Sequence, residues 1–598
     1  MGLSRAAGVV LLAAAVLSGA PPAHKRATPQ RSQPSQPDGL SSLTLRDKVA
    51  QLITMPCFGD NPRSRSQEFK RLQHWVRDLH IGGLIVVNRV SQGMVKNADP
   101  YEMAVFLNKM QRLSRLPLLV SADFERGASM RVADTVKFPH NMAYGAARDY
   151  DGTRYEAAQT AREARALGVH WVFAPDADVN NNPENPIINI RSFGEDPADV
   201  AKHVQAYIEG SRMDPNNRVL VTVKHFPGHG DTAVDTHLGL AKIAVDRARL
   251  NTIEWVPFRA AIAHNVDSVM TAHIALPAIE PEELPATVSS KVLTGALREE
   301  LGFKGIIVTD AMDMQGLTKQ FPGGEASVRA LEAGADVLLM PKDADDAINA
   351  ILEAVRTGRI TRKRIDASVA KILAAKSRLG LARHRVVDLD AINDVLQSPE
   401  ADARAQETAD KAVTLVRNER EAVPLREPDK ACLFVFTDNR FTTSGRQFTQ
   451  EVLKRSPKMQ VRMIDGSASD FEVEDSVQTA ASCQTVVAAA FVTASAYRGG
   501  VGLPGPATAI LNAVQEGKAP LVFLSFGNPY LLRAFPKSAA YMAMFSTVPG
   551  SETAAAKALF GEMGIAGHLP VTIPGFAKIG DGIQLAPRGS ARSAQSLR

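Results

Sequence analysis

Cysteine is scarce, at 3 in 598 residues. Cys57 falls in the first half and Cys432 and Cys483 in the last third, a spread that offers no disulfide framework. We read Cys432 and Cys483 as two small buried thiols rather than a pair, although an oxidising compartment would permit pairing. The formal net charge is only +5, aromatic residues make up 6% of the chain, and no basic run is interleaved with them. Nucleic acid is therefore not an expected partner. After the N-terminal segment no hydrophobic run reaches transmembrane length. The glycines form no strand–turn–helix phosphate fingerprint; Gly499-Gly500-Val501-Gly502 is glycine-rich but lacks that context.

The remaining composition, 45% hydrophobic and 22% charged, is that of an ordinary soluble globular protein. A length of 598 residues exceeds what one core serves, so two or more domains are expected. The N-terminus reads as an export signal over residues 1–20: Arg5 supplies charge, residues 6–17 are apolar but short for a bilayer, and Ser18-Gly19-Ala20 offers small residues for cleavage. An uncleaved anchor is the alternative. Export would deliver the protein to the periplasm or the extracellular space, with no stable membrane insertion after cleavage. Residues 21–42, rich in Pro, Ser and Gln, read as a disordered spacer.

From residue 43 a strand–helix alternation begins. Apolar runs at 51–55, 84–87, 116–120, 170–174, 219–223, 268–271, 306–309 and 336–340 have the near-continuous character of strands buried on both faces. Helical periodicity separates them at 102–113, 153–167, 197–209, 246–264, 290–301 and 324–333. Eight such units over residues 43–381 predict a (β/α)8 TIM-type barrel, with 362–379 as its last helix and Gly380 as a stop. A doubly wound open sheet is the alternative. Residues 382–406 read as a linker and 401–416 as a helix. Runs at 431–436, 460–463, 485–489, 520–525 and 541–545 predict a three-layer α/β/α sandwich over 407–598.

One stretch concentrates chemistry. After the run 219–223 come Lys224-His225-Phe226-Pro227-Gly228-His229-Gly230-Asp231-Thr232, then Asp235-Thr236-His237. An Asp-x-His pair suits acid/base work, because the carboxylate orients the imidazole and stabilises its charged form. A solvated polar turn is the plain alternative. A zinc site on His225, His229 and His237 is another, but the spacing fits no compact ligand motif, so no metal is expected. Polar residues recur where the strands would end: Asp123, Asp176 and Asp178, Lys224 and His225, His273, and Asp310. In a barrel these positions converge on one rim, where active sites form.

These motifs resemble those of family 3 glycoside hydrolases, in particular the bacterial β-N-acetylglucosaminidase branch. Asp123 with Arg131 eight residues on is similar to the family's sugar-binding pair. Asn189 to Pro197, Val308-Thr309-Asp310-Ala311-Met312, and Gly561-Glu562 with Gly567-His568-Leu569-Pro570-Val571 resemble three further segments. The resemblance implies a retaining, exo-acting hydrolysis of terminal β-linked N-acetylhexosamine through a covalent glycosyl-enzyme, without a cofactor. It makes Asp310 the nucleophile and His237, oriented by Asp235, the acid/base. It assigns Asp123, Arg131, Arg191, Lys224 and His225 to the sugar hydroxyls. His229 and Asp231 are left to shape the loop, and Asp176, Asp178 and His273 receive no substrate role. The partner implied is an N-acetylglucosamine-containing glycan, and a monomer is expected. Arg126 departs from the Glu-Gly-Gly of many relatives and puts charge beside the sugar site. Three other readings stay open: a β-glucosidase or β-xylosidase of the family, a phosphorylase, and a sugar-binding protein without catalysis.

Overall fold

A computed structural model of the chain describes residues 39–91, 94–494 and 499–588. The expected export segment and residues 21–38 of the spacer lie outside the described residues. Leu40–Ser42, expected as spacer, forms a short 3-10 turn with Leu40 buried in the first core.

Among the described residues, eight parallel strands form the first sheet. They are β1 (Ile53–Cys57), β2 (Gly83–Val86), β3 (Leu119–Ala122), β4 (Trp171–Val172), β5 (Leu220–Phe226), β6 (Ser268–Thr271), β7 (Ile306–Val308) and β8 (Leu338–Leu339). Each pairs with its chain neighbour, and β1 also pairs with β8. The ring closes where Val308 pairs with Val337 and the Thr309 N–H donates to the Val337 carbonyl at 3.0 Å. The barrel is therefore closed, as the count of apolar runs predicts. Its interior is packed: Trp171 is fully buried and donates Nε1–H to Thr222 Oγ1 at 2.7 Å and Ser268 Oγ at 2.9 Å, so the indole carries no unsatisfied donor.

The differences from expectation have local causes. β5 runs on through Lys224, His225 and Phe226, so the two charged residues sit on the strand rather than in the loop after it. The helix expected at 246–264 is two, Arg247–Thr252 and Val256–Ala263. Pro257 occupies the first turn of the second, where its missing N–H costs nothing, and would have broken a continuous helix. Lys291–Glu300 is wound as a π-helix. Ala344–Arg356 is a helix that precedes Arg362–Arg378 and was not expected.

The second sheet holds six strands among the described residues: β9 (Thr414–Asn418), β10 (Ala431–Phe436), β11 (Gln460–Ile464), β12 (Thr485–Val492), β13 (Leu521–Gly527) and β14 (Ala540–Ala543). The order is β9-β14-β13-β12-β10-β11, with β9 antiparallel and the rest parallel. The helix expected at 401–416 is Pro399–Ala412. The branched run from Val413 to Val416 instead extends as β9 along β14. Separate apolar cores cover the two faces of this sheet, which makes the domain three-layered.

Cys432 and Cys483 are disulfide-bonded, with Cα atoms 5.9 Å apart, so the two-thiol expectation is overturned. The β10–β12 register sets Cys432 opposite Val486, which brings Cys483, just upstream, alongside. A spacing of 51 residues conceals this proximity in the sequence. Cys57 is a buried thiol.

The sandwich sits on the barrel's loop end. One of its cores includes Met142, Ala143, Ala146 and Ile190 from the barrel. The Glu195 N–H donates to the Pro570 carbonyl at 3.0 Å, and the Glu195 carboxylate accepts from the Thr572 N–H at 2.7 Å. Gly194 has to be glycine here, because a Cβ would stand 2.6 Å from the Pro570 carbonyl oxygen.

Glu163, on the helix Tyr150–Ala166, is fully buried. Burial pushes its carboxyl from 4.5 up to about 7, although Val136 N–H and Gln159 donate to it. The unfolded chain loses this proton near pH 4.5 and the folded chain only near 7, so its contribution to stability falls as pH rises between these values. Glu163→Gln keeps the acceptor oxygen and removes the titration. Its melting temperature should match wild type at pH 5 and exceed it by a few degrees at pH 8, measured by calorimetry.

Candidate active site

A cavity of about 850 Å³ opens at the carboxyl ends of the barrel strands, with Thr493, Ala494 and Thr547 of the sandwich on its wall. Asp310 follows β7 and Asp123 follows β3. Four strands apart in an eight-strand ring, they face each other across the mouth.

Between them lies a lattice of buried charges. Lys224 Nζ is 2.9 Å from Asp123 Oδ1 and 2.5 Å from Glu125 Oε1. Arg191 meets both oxygens of Glu125, at 2.9 and 2.8 Å, and stands 3.3 Å from Asp176. Arg131 donates to Asp123 at 2.9 Å and to Asn88 Oδ1 at 2.6 Å. Burial opposes the charged form of each group, but mutual attraction overrides it for most. Lys224 and Arg131 bring Asp123 below the usual carboxylate range, Arg191 and Lys224 hold Glu125 well below it, and the carboxylates raise Lys224. Asp176 is the exception: burial pushes it up to about 7 despite Arg191.

His225 Nδ1 is 2.7 Å from Asp178 Oδ2, and its Nε2 is 3.4 Å from an Arg191 nitrogen. Asp178 also accepts from the His229 N–H at 2.6 Å. Burial works against the His225 cation, but Asp178 raises its pKa above the ordinary value. His229 goes the other way, to about 4, because it is buried and beside His225. Its ring bonds Thr232 at 2.8 Å and Thr236 at 3.2 Å, and Asp231 pairs with Arg249 at 2.7 Å, so both residues shape the loop as expected. Gly230 is required by close approach, since a Cβ would lie 1.7 Å from the Val179 carbonyl oxygen. Beyond it the loop carries His237 into the cavity wall. His237 Nδ1 is 2.8 Å from Asp235 Oδ1, and the same oxygen accepts the His237 N–H at 2.9 Å. The Asp235 side chain is fully buried and that of His237 is 24% exposed. A buried carboxylate thus fixes the imidazole through Nδ1 and turns Nε2 away from Asp235.

Asp310 accepts the Ala311 N–H at 2.7 Å. Burial would raise its carboxyl, but His225, His273, that N–H and His237 together bring it below the ordinary value. It is an anion held ready near neutral pH. His273 Nε2 bonds the Ala311 carbonyl at 2.9 Å and its Nδ1 bonds Thr287 at 2.8 Å, which braces the Asp310 turn from behind. The His237 loop is tied to the same turn: the Gly316 N–H donates to Thr236 O at 3.3 Å and Lys319 Nζ to Leu238 O at 2.9 Å.

Asp310, His237, Asp123, Arg131, Arg191, Lys224 and His225 all line the one cavity, with Asp235 behind His237. Sequence reasoning misses Glu125, which joins Lys224 to Arg191, while Asp176 and Asp178, named at a strand end without a substrate role, carry Arg191 and His225. Their regular place after β3 and β4 was the available signal. The three histidines once weighed as metal ligands have separate partners in Asp178, Thr232 with Thr236, and Asp235. Asp176, Asp178 and His225 do present donor atoms within 4.8 Å of one another. The Arg191 guanidinium, however, already stands as their fixed cation, 3.3 Å from Asp176 and 3.4 Å from His225.

Comparison with known proteins bears on this site. The glycosyl hydrolase family 3 N terminal domain matches residues 44–375, and the glycosyl hydrolase family 3 C-terminal domain matches residues 413–591. The chain is 30% identical over 514 residues to beta-hexosaminidase A of Pseudoalteromonas piscicida, covering 77% of this chain and 84% of that protein. It is 34% identical over 400 residues to a beta-N-acetylglucosaminidase/beta-glucosidase of Cellulomonas fimi, covering 64% and 67%. A family 3 beta-N-acetylglucosaminidase structure from Paenibacillus sp. str. FPU-7 superposes with a TM-score of 0.78 at 32% identity, covering 89% of this chain and 99% of that one. The structure of the beta-glucoside phosphorylase BglX gives 0.78 at 25% identity, covering 90% and 95%. With both domain signatures matched in order across barrel and sandwich, the chain belongs to glycoside hydrolase family 3.

Proposed function

We propose that the chain is a retaining, exo-acting β-N-acetylglucosaminidase that removes terminal β-linked N-acetylhexosamine from cell-wall fragments or chitooligosaccharides. The observation that carries this reading is the Asp235–His237 pair on the wall of the same cavity as Asp310. In the first step Asp310 attacks the anomeric carbon as the glycosidic bond breaks, and His237 gives its proton to the leaving oxygen. In the second, neutral His237 takes a proton from water, which displaces Asp310 and leaves the sugar with its original configuration. Asp123, Arg131, Arg191, Lys224 and His225 hold the hydroxyls, their charges already paired and oriented before substrate arrives. Two relatives named for N-acetylglucosaminide or hexosaminide cleavage support the substrate class.

We further propose export to the periplasm or cell exterior, supported by the N-terminal pattern and by the Cys432–Cys483 disulfide, which suits an oxidising compartment. No described helix is long and apolar enough to cross a membrane. A second reading is phosphorolysis. It is favoured by the likeness to a beta-glucoside phosphorylase and by an acid/base that, when neutral, repels phosphate less than a carboxylate does.

Purified protein should release 4-nitrophenol from the β-N-acetylglucosaminide far faster than from the β-glucoside; a preference for the glucoside overturns the substrate assignment. Run with phosphate, the same assay should still yield free sugar, and a glycosyl phosphate product would establish phosphorolysis instead.

His237→Ala should cost aryl substrates of low leaving-group pKa little in the first step and cost sugar leaving groups about 10²–10⁴-fold. Azide should restore turnover and give the β-glycosyl azide, identified by NMR. Asp310→Ala should lose turnover on every leaving group. Equal losses for good and poor leaving groups in His237→Ala would remove it as the acid.

Glu125→Gln takes the shared partner from the buried Lys224 and the part-buried Arg191. Unpairing buried charges typically costs about 3–5 kcal/mol. The variant should show that loss in denaturant unfolding together with a raised KM.

A further inference from the structure

Four guanidinium or ammonium groups line the cavity among the described residues: Arg126, Arg131, Arg191 and Lys224. Three have carboxylates beside them, Asp123 for Arg131, Glu125 and Asp176 for Arg191, and Asp123 and Glu125 for Lys224. Among the described residues Arg126 has no ion pair and no side-chain hydrogen bond. Glu125, its chain neighbour, is committed to Lys224 and Arg191. Glu156 lies close enough to act on it, but burial raises that carboxyl well above its ordinary value and no ion pair joins the two. Burial against the cavity wall lowers the pKa of Arg126, and the residue keeps part of its surface open to the cavity.

His140 lines the same cavity within reach of the Arg126 charge. Its backbone N–H donates to Ser546 Oγ at 3.2 Å, and the ring Nδ1 is 2.9 Å from the same oxygen. Burial and the Arg126 charge lower the pKa of the imidazole well below its ordinary value. The cavity therefore presents the Arg126 guanidinium and the His140 ring on one wall, and among the described residues no acceptor is paired with the guanidinium.

We propose that Arg126 and His140 form an anion subsite of the active-site cavity, which takes a carboxylate or phosphate group borne by the glycan or bound beside it. The inference rests on the glycosidase reading of this cavity. A guanidinium matches either anion with two parallel hydrogen bonds. The part-buried setting strengthens the contact over one in bulk water. A chain with glycine at this position would offer no such fork, so Arg126 selects among substrates that share the same cleaved sugar.

Three matched probes test the subsite and locate its anion. The first is an N-acetylglucosaminyl disaccharide with a carboxylate on the leaving sugar, against its methyl ester. The second is the 4-nitrophenyl N-acetylglucosaminide with and without a 6-phosphate on the cleaved sugar. The third is inorganic phosphate, titrated calorimetrically without turnover. In the arm that matches the natural anion, wild type should favour the charged probe about 10- to 100-fold in kcat/KM or show phosphate binding, as expected for hydrogen bonds to a charged group. Arg126→Gln should bring that ratio near one or abolish the binding, and Arg126→Lys should fall between. A purely structural Arg126 would lower charged and neutral probes together and leave each ratio intact. Ratios unchanged by Arg126→Gln in both kinetic arms, with no Arg126-dependent phosphate binding, overturn the proposal. Failure of wild type on every neutral N-acetylglucosaminide would instead overturn the substrate reading, and calorimetry would still judge the subsite.

Discussion

The Lys224–Glu125–Arg191 ion pairs are the constraint on which the site depends. Two cations and a carboxylate, Lys224 and Glu125 buried and Arg191 part-buried, sit on the wall of the barrel mouth, tied to Asp123 at one end and Asp176 at the other. Such a group of charges is worth little as a stabiliser, because desolvation consumes most of the attraction. Its value lies in order. Lys224, Arg191, Arg131 and His225 are each already fixed by a neighbouring carboxylate. The same feature makes the site brittle, since each member leaves an unpaired partner when removed. Arg126 shows the converse, a cation in the same cavity with no ion pair among the described residues.

The two domains divide the work in a definite way. The barrel supplies the lattice and Asp310, and its loop from His229 to His237 supplies the Asp235–His237 pair. The sandwich lends wall residues and braces the loops from above, through contacts such as Thr572 to Glu195, Tyr530 to Asn180 and Ser546 to His140. The segment around Asn189 to Pro197, which brings Arg191 into the cavity, is thus held from both sides. Loops placed by a rigid barrel alone would be freer to move. Here the second domain limits that freedom where the charges need it limited.

The corrections come from places where long-range pairing decides and local pattern cannot. The Cys432–Cys483 bond follows from the parallel register of β10 and β12, which no spacing in the sequence announces. The stretch after Ala412 continues a helical pattern, yet the free edge of β14 takes it as β9. Nothing in the order of residues marks Glu125, and only its distance to Lys224 and Arg191 shows that it joins the two cations.

The sequence by itself determined the barrel, the sandwich and the list of chemical groups. Strands buried on both faces must be continuously apolar, and eight such runs with charged residues at their ends leave few architectures to choose from. What tertiary structure alone decided is which charge meets which. Asp123 and Lys224 are 101 residues apart in the chain, and Glu125 and Arg191 are 66. Closing the ring brings each pair to hydrogen-bond distance, and the low dielectric of the closed mouth then sets which groups keep their charge. Pairing leaves Glu125 an anion, burial pushes Asp176 up to about 7, and Arg126 is left with no partner among the described residues. Those outcomes depend on distances and on water exclusion, and neither is a property of residue order.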